Sequence, residues 1–244
     1  MSSTKPVPRE LHVLCSGAFK AAYLALAPQF ERATGQKLSV AWGSSVAGAP
    51  TSIPARLARG EPADVVIMAA EGLDRLANEG LIAAGSRADL ARSGIGIAVR
   101  AGAPRPDMAS ADALVRAIRQ ATSIGHSTSA SGIYMRSLLG RLGLIEELGS
   151  RIRRVEGEPV GAVVARGEIE IGFQQVSELL PVAGIDLVGP LPADIQHITV
   201  FAAGIAAASG SADAGRGLIA YLTSPDAAAV IRKSGMEPAF AVPA

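Results

Sequence analysis

The sequence predicts an α/β fold built on a parallel, doubly wound sheet. Three observations carry that prediction. Short apolar runs alternate along the chain with longer Ala- and Leu-rich segments, which is the pattern of successive βαβ units. Several of the longer segments stop at a glycine, as helices do. Several apolar runs end in small hydroxyl or amide residues, and ligands of open α/β sheets bind at the carboxyl ends of the strands.

The first strand is expected at 11–15, ending in Ser16-Gly17, and a helix at 19–34 with Gly35 as its stop. Pro28 should kink or split that helix near Ala27. The second strand is 38–42, followed by the turn Gly43-Ser44-Ser45. A short helix at 52–59 stops at Gly60, a strand covers 65–68, and a helix at 73–78 closes at Gly80. Further on, a strand is predicted at 95–99 and a helix at 111–120. A small, polar segment at 123–131 precedes a helix at 133–142. A strand at 152–155, a helix at 160–165 and a strand at 169–173 follow, the last with Gln174-Gln175 at its end. The rest reads as strands at 185–188 and 199–206 and helices at 212–222 and 225–234.

With 244 residues, the chain sits between one large domain and two small ones. Hydrophobic residues make up 49% and aromatics 4%, so the core is built from Ala, Val, Leu and Ile. A formal charge of +1 with 18% charged residues points to neither a nucleic-acid nor a membrane surface. No window approaches the ~18–20 apolar residues of a membrane span. Residues 1–10 are polar and lack an apolar leader core, which predicts either a cytoplasmic protein or one whose export signal has been removed. The one cysteine, Cys15, lies in an apolar run and reads as a core residue.

The candidate site residues gather where strands stop. The turns Ser16-Gly17 and Gly43-Ser44-Ser45 place small residues beside open backbone N–H groups and the positive end of a helix dipole. They are expected to form half of an anion-binding cleft. The same kind of position holds Ala69-Ala70, Ser127–Ser131 and Gln174-Gln175. Each taken alone reads equally as a cap or turn, and Ser131-Gly132 reads as the N-cap of the following helix. His126, in the polar turn, either touches a ligand and moves a proton or is a satisfied loop residue. Lys20 either brings positive charge to the cleft or is solvated. Arg92 either forks onto a carboxylate or pairs with Asp89. No metal spacing, phosphate loop or nucleophile elbow is present.

A set of weak motifs in a fairly specific order marks a family. They are Ser16-Gly17; Phe30-Glu31-Arg32-Ala33-Thr34-Gly35; Gly43-Ser44-Ser45; Gly60-Glu61-Pro62-Ala63-Asp64; Ser131-Gly132-Ile133-Tyr134; Arg166-Gly167-Glu168; and Ser224-Pro225-Asp226-Ala227-Ala228. Over roughly 11–238 the chain resembles the type II periplasmic solute-binding proteins of the molybdate-binding-protein-like branch. That resemblance implies two doubly wound lobes, 9–90 plus 200–244 and 91–199, joined by a two-segment hinge that closes on a ligand between them. It implies ligand contacts at Ser16, at Ser44 or Ser45, at Ser131, and at the Pro159-Val160 turn. The family's oxyanion-binding tyrosine falls at about Gln175, and glutamine there points away from molybdate or tungstate and towards a carboxylate or neutral polar ligand.

The run 171–179, Ile-Gly-Phe-Gln-Gln-Val-Ser-Glu-Leu, is more similar to a sub-branch resembling aconitate isomerase, which shifts a double bond in a tricarboxylic acid. For such an enzyme, His126, Lys20 and Glu71 are the acid/base candidates, and the sequence does not choose among them. The resemblance therefore implies a cofactor-free binding protein for a small organic anion, serving the membrane subunits of an ABC-type uptake system. A cofactor-free polycarboxylate isomerase is the second reading, and a ligand-sensing module the third.

Overall fold

The computed structural model describes residues 9–242. In chain order the elements begin with β1 (Leu11–Ser16), α1 (Lys20–Thr34), β2 (Leu38–Gly43), α2 (Ile53–Ala58), β3 (Val65–Ala69) and α3 (Ala70–Asn78). They continue with β4 (Ala88–Arg100), α4 (Ala111–Gln120), β5 (Ile124–Ser127), α5 (Ala130–Arg141), α6 (Leu144–Leu148), β6 (Ile152–Val155) and α7 (Val160–Ala165). The last are β7 (Ile171–Gln175), α8 (Val176–Leu179), β8 (Ile185–Pro190), β9 (Ile198–Ile205), α9 (Ala212–Leu222), α10 (Pro225–Lys233) and β10 (Glu237–Pro238). The chain falls into two compact units. Unit 1 holds the described residues up to Ala91, 201–231 and 238 onward; unit 2 holds 92–200 and 232–237. The boundaries fall inside β4, β9, α10 and β10. Among the described residues no helix is long and apolar enough to cross a membrane.

In unit 1 the strand order is β2-β1-β3-β9. β1 runs parallel to β2 and β3, with Ser16 opposite Gly43 and Cys15 opposite Ile67. The carboxyl ends of three strands therefore lie side by side. β1 and β3 are buried almost throughout, which is why they read as unbroken apolar runs rather than alternating ones. In unit 2, β5 runs parallel to β6 and β7. One face of its sheet is covered through Ile95, Leu114, Ile118, Ile124, Met135 and Phe173, and the other through Val155, Val160, Val164 and Ile169. That is helix cover on both faces, as a doubly wound sheet requires.

The sheet is mixed rather than wholly parallel. β9 is antiparallel to β3, and β4 is antiparallel to β7 and β8. Strand-helix alternation fixes direction only for neighbours joined by one crossover. β3 and β9 are joined by more than a hundred residues, so that rule says nothing about them.

Several element boundaries depart from the sequence reading, β7 for instance running 171–175 rather than 169–173. α1 is continuous through Pro28. Pro28 and Leu24 both lie on the exposed face, so the Leu24 carbonyl that loses its partner meets water instead. β4 begins at Ala88, well before 95. The polar segment 123–131 is a buried strand, β5, and the first turn of α5; Gly125 fits there because a Cβ would lie 2.5 Å from Ile169 Cδ1. The short helices α6 and α8 add turns that the sequence left as loop. The predicted stops at Gly35, Gly60 and Gly80 all have positive φ, 72° to 75°, the left-handed conformation that glycine adopts without strain.

Candidate anion-binding site

The site residues of unit 1 stand at the adjoining ends of β1, β2 and β3. Ser16 closes β1, is 5% exposed, and caps no backbone N–H with its hydroxyl. Gly17 opens a 3-10 turn, and its carbonyl accepts from the backbone N–H of Lys20. In the turn after β2, Ser44 Oγ accepts from Val46 N at 3.1 Å and Ser44 O accepts from Ile53 N at 2.9 Å. Ser45 is buried, and its Oγ accepts from Ala69 N at 3.0 Å. That bond ties the turn to the end of β3 and leaves the Ser45 O–H to donate elsewhere. Neither α1 nor α3 has a side-chain cap at its start, so their first N–H groups and dipole ends attract an anion.

Lys20 and Glu71 are exposed, each in the first turn of a helix. The Lys20 ammonium lies over the Trp42 ring, 5.2 Å from its centroid. Tyr23 meets the same ring edge-on, with centroids 5.7 Å apart.

The site residues of unit 2 stand at the ends of β5 and β7. Ser127, Ser129 and Ser131 form a triangle of hydroxyls, with Oγ–Oγ distances of 2.7 Å between Ser127 and Ser129 and 3.3 Å from Ser131 to each. The N-cap of α5 is Ser129, not Ser131. Ser131 lies inside the first turn with its side chain fully buried. No side chain caps this N-terminus. Gly132 is required here, since a Cβ would sit 1.7 Å from Ser127 O; only glycine lets the helix start so close to the end of the strand.

His126 is a buried residue in the middle of a sheet, not part of an open turn. Its Nδ1 is 2.9 Å from Ser127 O, and its Nε2 is buried without a partner. Burial holds the imidazole below the usual histidine range, with smaller effects from Arg136 and Arg154 in the same direction, so it is neutral at pH 7. Arg92 is an exposed residue within β4, at the start of unit 2. Asp89 pairs with Arg87 at 2.8 Å.

Gln174 and Gln175 are the last residues of β7, both buried, and they point to opposite faces of the strand. Gln174 Oε1 accepts from Val160 N at 2.9 Å. It thereby caps α7, whose own N-cap residue, Pro159, supplies no side-chain bond. The Val160 N–H is engaged by this bond. Gln175 accepts from Thr199 Oγ1 at 2.9 Å, and its amide nitrogen faces Ser93 Oγ, Ser93 O and Gly94 O at 3.0–3.1 Å. Its amide is thus shared between β4 and β9.

Sequence reasoning passed over Glu178, in the first turn of α8. Its carboxyl is hydrogen-bonded by Gln174, its Oε2 is buried without a partner, and burial raises its pKa to about 7. The neighbouring Ser177 hydroxyl is also buried and unpartnered. A glutamate four residues after Gln174 was the available signal. It carried no role in the sequence because α8 was not foreseen. Among the described residues no group of three His, Cys, Asp or Glu side chains is placed to hold a metal ion.

An α/β fold of this strand order is that of the type II solute-binding proteins. The chain belongs to the family of bacterial extracellular solute-binding proteins, whose model it matches over residues 11–237. It is 45% identical over 234 residues to aconitate isomerase of a Pseudomonas species, covering 96% of this chain and 89% of that relative. Its fold matches the periplasmic molybdate-binding protein of Azotobacter vinelandii with a TM-score of 0.76 and 24% identity, covering 96% and 100% of the two chains. It also matches a tungstate ABC transporter structure from Geobacter sulfurreducens, with a TM-score of 0.70 and 16% identity over 92% and 98%.

Proposed function

We propose that this protein binds a polycarboxylate anion and shifts its double bond, with aconitate as the substrate. The observation that carries this reading is the 45% identity to an aconitate isomerase across 96% of the chain. The donor set is consistent with it. In unit 1, Ser16, Ser44 and Ser45, and in unit 2, Ser127, Ser129 and Ser131, each offer hydroxyls rather than fixed cations, and uncapped helix starts in each unit add backbone N–H groups. Carboxylate oxygens accept from both. Gly17 and Gly132 are the glycines of these two turns, and Arg92 is the cation we assign to the ligand.

The reaction needs one proton removed from the substrate methylene and one returned to the far carbon of the double bond, with no net gain or loss of atoms. Of the three acid/base candidates, His126 is the one we assign to this transfer. Its ring is neutral, and its buried Nε2 carries no hydrogen bond, so the lone pair is not engaged by the protein. Lys20 and Glu71 are solvated.

A second reading is binding alone, delivering an anion to an ABC-type permease from the periplasm. The structural relatives of that kind support it. One experiment separates the two. The protein is incubated with trans-aconitate and followed by proton NMR. Formation of the cis isomer at a rate proportional to protein supports the isomerase, and His126→Asn should slow it by about 100-fold, the usual contribution of a general base. Thermal stabilisation by trans-aconitate without conversion leaves binding alone. Stabilisation by molybdate and not by carboxylates overturns the polycarboxylate as ligand and with it the isomerase.

A further inference from the structure

We propose that unit 2 couples anion binding to the uptake of one proton, and that Glu178 is the group that takes it up. This rests on the polycarboxylate reading above and extends it.

The geometry is a half-buried carboxyl with one oxygen sealed off and no counterion among the described residues. Glu178 follows β7 by one turn, its Oε2 has neither solvent nor partner, and the side chain that meets it is a neutral amide, Gln174. That amide in turn holds the backbone N–H of Val160, one of the candidate ligand-binding positions. Among the described residues no neutralising charge acts on it. β7 and α7, which pack on α8, contain no titratable residue, and β4 meets α8 at Gly96, against Val176 and Leu179. Arg166, at the end of α7, is engaged with Glu158 and Glu168. Gly235 packs on Val176, Ser177 and Leu180; of the charged residues flanking it, Arg232 pairs with Glu237 at 3.8 Å and Lys233 is exposed to solvent. His126, on the neighbouring β5, is neutral.

A carboxylate so placed is costly to ionise. In the free protein Glu178 is protonated at acid pH and titrates at about 7. An anion bound at the end of β7 repels the ionised form and pushes the titration higher. Above pH 7 binding must then bring a proton with it. The direction follows from linkage: the bound state holds more protons, so affinity falls as pH rises above 7, by up to about tenfold per unit. At pH 5.5 the group is protonated in both states and no proton moves.

The test is calorimetric titration of trans-aconitate into the full chain at pH 8, in phosphate and in Tris, whose ionisation heats differ. The wild type should take up close to one proton at pH 8 and none at pH 5.5. Glu178→Gln should bind with no uptake at either pH and with a flat affinity from pH 6.5 to 8.5. The wild-type buffer dependence stands even where the variant folds poorly. Binding without proton uptake at pH 8 overturns the coupling and leaves the polycarboxylate reading intact. Uptake that persists in a folded Glu178→Gln removes Glu178 from it. Absence of any binding at either pH overturns both.

Discussion

At the scale of single residues, the two serines of the β2 turn have different duties. Ser45 is buried and satisfies the Ala69 N–H, whereas Ser44 is half-exposed and its Oγ accepts from the nearby Val46 N–H. Removing a hydroxyl that serves a buried donor costs about 1–3 kcal/mol, and less where water can replace it. Ser45→Ala should therefore lower the unfolding free energy by roughly 2 kcal/mol. Ser44→Ala should weaken trans-aconitate binding about tenfold with little change in melting temperature, read by calorimetry and thermal unfolding; a tenfold loss is what one carboxylate hydrogen bond of about 1.4 kcal/mol contributes. Unchanged affinity in Ser44→Ala would mean that the turn is only a structural cap. Gln175 shows how residue type alone misleads. Its amide looks ready for a ligand in the sequence, yet its hydrogen-bonding capacity is directed to Thr199 and the Ser93-Gly94 backbone.

At the scale of elements, the start of α5 is the most constrained part of unit 2. Gly132 brings this helix into near contact with the last residue of β5 and sets the three serine hydroxyls within 3.3 Å of one another. Gly132→Ala must push helix and strand apart and should cost about 3 kcal/mol, at the upper end of overpacking penalties. Gly217→Ala, in α9 where an added Cβ meets nothing, should instead stabilise the protein by about 0.5–1 kcal/mol through helix propensity. Urea unfolding of the pair reads both effects. The same region explains what was hard to see in the sequence. Gly125-His126-Ser127 has a turn's composition, but each residue is buried in a strand, and only the packing of Ile169 against Gly125 discloses it.

At the scale of the molecule, the α/β class was legible because apolar runs, glycine stops and strand-end serines are local signals. α4, α7 and α9 have the bounds that the sequence predicts. Strand direction was not legible, because β4 and β9 are placed by partners remote in sequence. The candidate site was legible as residue types and not as bonding. Ser16, Ser44 and Ser131 stand at strand ends or helix starts, but the capture of the Val160 N–H by Gln174 and the burial of Glu178 arise from three-dimensional neighbours. Family membership follows from the whole chain. Chemistry, binding against isomerisation, turns on how a proton is held, which spacing does not encode.

The sole thiol offers a practical clock for unit 1. Cys15 sits in the middle strand of three, fully buried, its ionisation strongly suppressed by burial. An alkylating reagent reaches it only when β1 comes away from its neighbours. Mass-spectrometric timing of iodoacetamide labelling should then show a single, slow event in native buffer, and trans-aconitate should slow it further by mass action. Rapid labelling of the folded protein would contradict the packing around β1. No tag or engineered residue is needed, because the chain contains one cysteine and no other site for the reagent to confuse with it.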